Sequence, residues 1–206
     1  MDAQSIKLIK QYVEQYIENA DLREIIAVVL VGSSSITCIN NPHDIDVCVC
    51  VSPTVERRTR YVAGLRAALQ ADVSPKISVL TRIPDEWYEA GGLLKTYAFQ
   101  SLPRFAINIV GDVRELAPPE KVDVLMNKDK YINSLKHYWF SEHMEKHIRK
   151  YGRLKALYLA LLVVYFIDNN SYELTDEQRR NVNIAHDLAD GWEELHDWFI
   201  NKLKEY

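Results

Sequence analysis

The chain has 206 residues, 48% of them hydrophobic and 26% charged, with a formal net charge of −4. That length suits one large or two small domains, and the charge argues against the bulk basic field of a protein that coats nucleic acid. Three cysteines, Cys38, Cys48 and Cys50, are odd in number and crowded into one segment, which is not a disulfide framework.

The stretch from Met1 to Ile17 is charged and amphipathic and carries no apolar signal-peptide segment, so a cytoplasmic protein is the default expectation. Within it Ile6, Ile9, Val13, Tyr16 and Ile17 recur at helical spacing, predicting a helix over 4–19. Ile25 to Val31 reads as a strand, followed by a tight polar turn at Gly32-Ser33-Ser34-Ser35. Asn40-Asn41-Pro42 closes a short helix or turn over 34–41. Asp44 to Val51 reads as a second strand, in which Cys48 and Cys50 are core filler. Ser52-Pro53-Thr54 opens a helix to about Ala71, with Thr54 as its cap. The arginines Arg57, Arg58 and Arg60 on that helix are either a solvated face or a phosphate contact.

Strands are expected over Lys76 to Thr81 and over Arg104 to Val110, with a helix over Trp87 to Gln100 between them. Lys76 and Arg82 flank the third strand as edge charges or phosphate contacts. Ala117-Pro118-Pro119 is the linker candidate. Beyond it strand signals vanish. Helices are expected over 128–145, over 147–168, from a cap at Thr175 or Asp176, and over 191–204. The run Leu154 to Ile167 is 14 residues long with Lys155 inside it. A membrane span needs about 20 residues, so a buried core helix is expected and no membrane contact. The fold class is therefore α/β (α+β): a small mixed-sheet domain over 1–117, then an all-helical domain over 118–206.

The chemistry concentrates at the first two strands. Side chains alternate along a strand, so Asp44 and Asp46 share a face while Ile45 and Val47 take the other. Two strand rises put their Cα atoms roughly 6.6 Å apart. Bare carboxylates at that distance repel by about 2.5 kcal/mol at an effective dielectric near 20. A hard divalent cation such as Mg²⁺ would turn that cost into a binding site. The Gly-Ser turn supplies a complement, because successive N–H groups in such a bend can cradle an anion and glycine admits close approach. The ordinary alternative is a strand pair with a solvated polar end.

The pattern apolar-Gly-Ser, ten residues, then Asp-apolar-Asp-apolar resembles the signature of the nucleotidyltransferase superfamily related to DNA polymerase β. That superfamily includes minimal nucleotidyltransferases, aminoglycoside nucleotidyltransferases and RNA nucleotidyl-adding enzymes. The resemblance implies an enzyme that moves a nucleoside monophosphate from a nucleoside triphosphate to a hydroxyl and releases pyrophosphate. It implies Asp44 and Asp46 as catalytic metal ligands for Mg²⁺, and Gly32, Ser33 and Ser34 as the triphosphate cradle. It also implies a helical domain that brings a basic side chain such as Lys155 to the nucleotide.

One departure stands out. Active members usually carry a third carboxylate on the following strand, and the matching position here is Ser78. Asp72, Glu86 and Asn108 are substitutes among which the sequence does not choose. The alternative reading is therefore a catalytically weak, nucleotide-binding or antitoxin-like regulatory relative with a partner protein. Arg180 to His186 loosely resembles the Arg-x₄₋₆-His pattern of HEPN ribonucleases, which often partner minimal nucleotidyltransferases. His137, His143 and His147 read as structural or solvated. The acceptor is open among small molecules, proteins and RNA ends, with the acidic balance favouring the first two.

Overall fold

The computed structural model describes residues 3–20, 24–40, 42–54, 59–70, 77–83, 106–112, 120, 123–140 and 150–206. Helix α1 (Ala3–Ala20) leads into strand β1 (Ile25–Val31), a 3₁₀ turn (Gly32–Ser35) and strand β2 (Ile45–Val51). Helix α2 (Thr59–Gln70), strand β3 (Ile77–Arg82) and strand β4 (Ile107–Val110) follow. Helices α3 (Lys128–Phe140), α4 (Lys150–Asn169), α5 (Asp176–Asp187) and α6 (Trp192–Glu205) complete the described chain. Its Cα atoms group into two compact units: one holds α1, α2 and the strands, and the other holds α3 to α6 together with residues 38–40.

In the first unit the strands form a mixed sheet in the order β3-β2-β1-β4. β1 pairs antiparallel with β2 and with β4, while β2 and β3 are parallel. A parallel neighbour requires a crossover, and α2 lies in that connection. The run Ile-Ile-Ala-Val-Val-Leu-Val makes β1 a central strand because β-branched side chains pack well on a pleated surface. One face of the sheet presents Val28, Leu30, Ile45, Val47, Val49 and Val51 to a core shared with Ile9 and Val13 of α1 and Leu65 and Leu69 of α2. Each such side chain, fully buried, contributes roughly 1.5–3 kcal/mol. Ala27, Val29, Cys48 and Cys50, on the opposite face by alternation, are buried as well, and the cysteines are free thiols. Gly64 lets α2 approach α1: a Cβ there would overlap the Tyr16 hydroxyl.

The helical unit is built differently. In α4 every residue from Ala156 to Phe166 is buried, the mark of a helix enclosed on all sides. Among the described residues no helix is long and apolar enough to cross a membrane. Trp139 of α3 meets Phe199 of α6 edge to face, with ring centroids 4.8 Å apart. Thr175 caps α5 in a full capping box: its hydroxyl accepts from the Gln178 amide N–H, and the Gln178 side chain accepts from the Thr175 N–H at 3.0 Å. The Asn183 side chain donates to the Cys38 carbonyl at 2.7 Å and accepts from the Asn40 N–H at 2.9 Å. Residues 38–40 belong to this unit through that pair of bonds.

Several expectations change. β2 begins at Ile45, so Asp44 stands just before the strand. Thr54 lies in a turn, its hydroxyl 2.9 Å from that of Ser52, and residues 55–58, which a helix starting there would include, lie outside the described residues. Arg57, Arg58, Lys76, the helix expected over 87–100, the linker at 117–119, His143 and His147 lie outside the described residues.

Candidate active site

Asp46 sits where three pieces of backbone converge. Its Cα pairs with Val31 at the end of β1 and with Ser78 on β3. Just past Val31 the chain turns at Gly32, whose φ is +69°, a left-handed conformation that glycine adopts without steric penalty. A Cβ on Gly32 would overlap the Asp46 Oδ2. Glycine is thus required twice, once for the turn and once to leave room for a carboxylate.

That carboxylate is electrostatically unsettled. The pKa of Asp46 is raised from its ordinary 3.8 to about 6, by burial first and by the neighbouring charge of Asp44 second, against the opposing pull of a hydrogen bond from Ser78. Desolvation and like charge both disfavour the ionised form. A cation bound against the pair would relieve both, so the donor set, two carboxylates with oxygen-only ligand atoms, fits Mg²⁺.

The turn has a shape of its own. The Ser34 hydroxyl donates to the Val31 carbonyl at 3.1 Å and the Ser35 hydroxyl to the Gly32 carbonyl at 2.9 Å. The Ile36 N–H donates to the Ser33 carbonyl at 3.2 Å. All three serines are buried. Ser34, expected to touch phosphate, therefore spends its hydroxyl on the turn itself, and what it retains for a ligand is its backbone. No hydrogen bond of the Ser33 hydroxyl is found among the described residues. Side-chain closure of this kind fixes the bend before any ligand arrives.

The remaining expected residues divide. The β1–β4 register pairs Asn108 with Val29, which puts it on the same face of the sheet as Asp46 and Ser78. Its amide donates to the Asp112 Oδ1 at 3.0 Å. Lys155 lies in α4 of the helical unit, with its side chain outside what the structure describes. Asp72 and Glu86 lie outside the described residues too. Arg180 and His186 both lie on α5, six residues and about 240° of helical turn apart, so they do not share a face. His186 instead pairs with Asp187 at 2.6 Å and meets the Tyr158 ring edge-on.

No protein-family profile and no curated protein matches this chain. Among solved structures it is similar to spectinomycin adenyltransferase AAD(9) from Enterococcus faecialis, whose crystal structure holds ATP and spectinomycin. The two are 13% identical, the match covers 99% of this chain and 100% of that one, and the TM-score is 0.54. The chain has a nucleotidyltransferase fold. The small mixed sheet with its α-helices followed by a helical part is that fold's layout, as the Gly-Ser and Asp-x-Asp pattern implied. What the sequence did not show is the contact between Gly32 and Asp46 and the hydrogen bond from Ser78. The β2–β3 register carries the signal for the second, and only a guess at strand pairing would have found it.

Proposed function

We propose that this protein is a Mg²⁺-dependent nucleotidyltransferase that moves a nucleoside monophosphate from a nucleoside triphosphate to a hydroxyl acceptor, with release of pyrophosphate. The observation that carries the reading is the Asp44/Asp46 pair, whose second carboxylate is pressed over Gly32 at the mouth of a serine-closed turn. Asp44 and Asp46 hold the cation; Gly32, Ser33 and Ser34 present the turn to the polyphosphate, Ser34 through its backbone. The cation, when bound, supplies charge neutralisation for the attacking and leaving oxygens. The protein's own share is positioning: a rigid turn, two acids at the start of a buried strand, and no covalent chemistry.

AAD(9) was crystallised with ATP and spectinomycin, which supports ATP as donor and a small molecule as acceptor here. Free cysteines on a buried strand favour a reducing, cytoplasmic setting. A catalytic domain over 1–117 and a helical domain over 118–206, the latter contributing Lys155 as a nucleotide-binding residue, complete the proposal.

Incubation with each labelled triphosphate, Mg²⁺ and a panel of hydroxyl acceptors, read as pyrophosphate release, tests it. Asp44→Ala and Asp46→Ala are each expected to lower turnover by at least about a thousandfold. Unchanged turnover in either variant removes the assignment. A second reading has its own observation: Ser78, not an acid, pairs with Asp46. A nucleotide-binding regulatory protein, working with a partner protein, would bind triphosphate without turning it over, and the same assay separates the two.

A further inference from the structure

The β2–β3 ladder aligns Asp46 with Ser78 residue for residue. Partners in a parallel pair project to the same face from strands about 4.8 Å apart. On its other side Asp46 lies against Gly32, where any Cβ would overlap Oδ2. The carboxylate therefore stands between bare backbone and a hydroxyl. Ser78 is half-buried.

Resting on the nucleotidyltransferase reading, we infer that Ser78 is a positioning residue whose hydroxyl donates to the Asp46 carboxylate and holds it over Gly32. β3 then supplies orientation and no charge. A serine hydroxyl has one proton to donate, whereas an ionised carboxylate offers about four lone-pair sites. One bond from Ser78 leaves the rest of Asp46 available for a cation. An aspartate at 78 would set a third negative group directly beside the Asp46 carboxylate. The neutral donor is the residue that suits a two-carboxylate centre.

The test compares Ser78→Thr with Ser78→Val, side chains of nearly equal volume on a strand, of which one keeps the hydroxyl. Binding of a non-hydrolysable triphosphate analogue is measured against Mg²⁺ concentration, beside kcat, KM and a thermal melt. Ser78→Val is expected to need about tenfold more Mg²⁺ for half-maximal binding, as befits a lost hydrogen bond to a charged group. Its kcat falls while the acceptor KM holds. Ser78→Thr stays within about twofold of the unaltered protein on both counts, and the melts of the pair coincide. Should the branched side chains crowd the strand, Ser78→Ala against the unaltered protein gives the same contrast. Equal Mg²⁺ requirements for Thr and Val, or for Ala and the unaltered protein, overturn the positioning role alone. Failure of the unaltered protein to bind the analogue at any Mg²⁺ concentration overturns the nucleotidyltransferase reading, and the role of Ser78 falls with it.

Discussion

The two units treat their polar groups in opposite ways. In the helical unit several polar groups near helix ends are paired. Thr175 and Gln178 close the start of α5, and Asp168 receives both the Tyr206 hydroxyl at 2.6 Å and the Lys202 ammonium at 3.2 Å. In the sheet unit an acid is half-buried beside another acid, and its pKa rises accordingly. A fold optimised only for stability would not keep that arrangement. The sheet unit thus carries an electrostatic cost that a bound cation would offset.

The contrast can be broken at its strongest point in the helical core. Phe199 is fully buried against Trp139. Phe199→Ala is expected to cost about 3–5 kcal/mol, read as a lower midpoint in urea unfolding. A loss under 1 kcal/mol would mean that the unit is not packed as described.

Asp46 should show the reverse sign. Its folded pKa of about 6 lies above the ordinary 3.8. Between those values the folded chain keeps a proton that the unfolded chain has lost, so stability falls as pH rises through the window and stays low above it. The full effect is roughly 2 kcal/mol once the partial exposure of the group is discounted. Without Mg²⁺, Asp46→Asn is therefore expected to melt higher than the unaltered protein at pH 7 and to lose the slope between pH 4 and 6. A variant that melts lower at pH 7, with the slope intact, would put the strain elsewhere. The smallest effect is at the surface of the helical unit: Thr175→Ala removes one capping bond and should cost about 1 kcal/mol in the same urea assay, leaving pyrophosphate release unchanged.

Much of this was legible in the sequence because it is local. The apolar run of β1 gave its bounds, the helical spacing of Ile9 and Val13 gave the buried stripe of α1, and the start of α5 was legible with its cap left between Thr175 and Asp176. The resemblance matched Ser78 to the place of a third acid, and the structure pairs that residue with Asp46. Tertiary contacts were not legible. The fit of Asp46 over Gly32 depends on how β1 ends against β2. The bonds of Asn183 join residues 143 and 145 positions apart, and no periodicity announces them.

The Asn183 clasp also bears on how the protein can be dissected. Its amide serves Cys38 and Asn40 as a neighbouring strand would, one donor and one acceptor to alternate residues of the backbone. A fragment ending near residue 119 would contain the four described strands yet surrender those two bonds. The two units interleave along the sequence, because the chain enters the helical unit at 38–40 and returns to the sheet unit before β2.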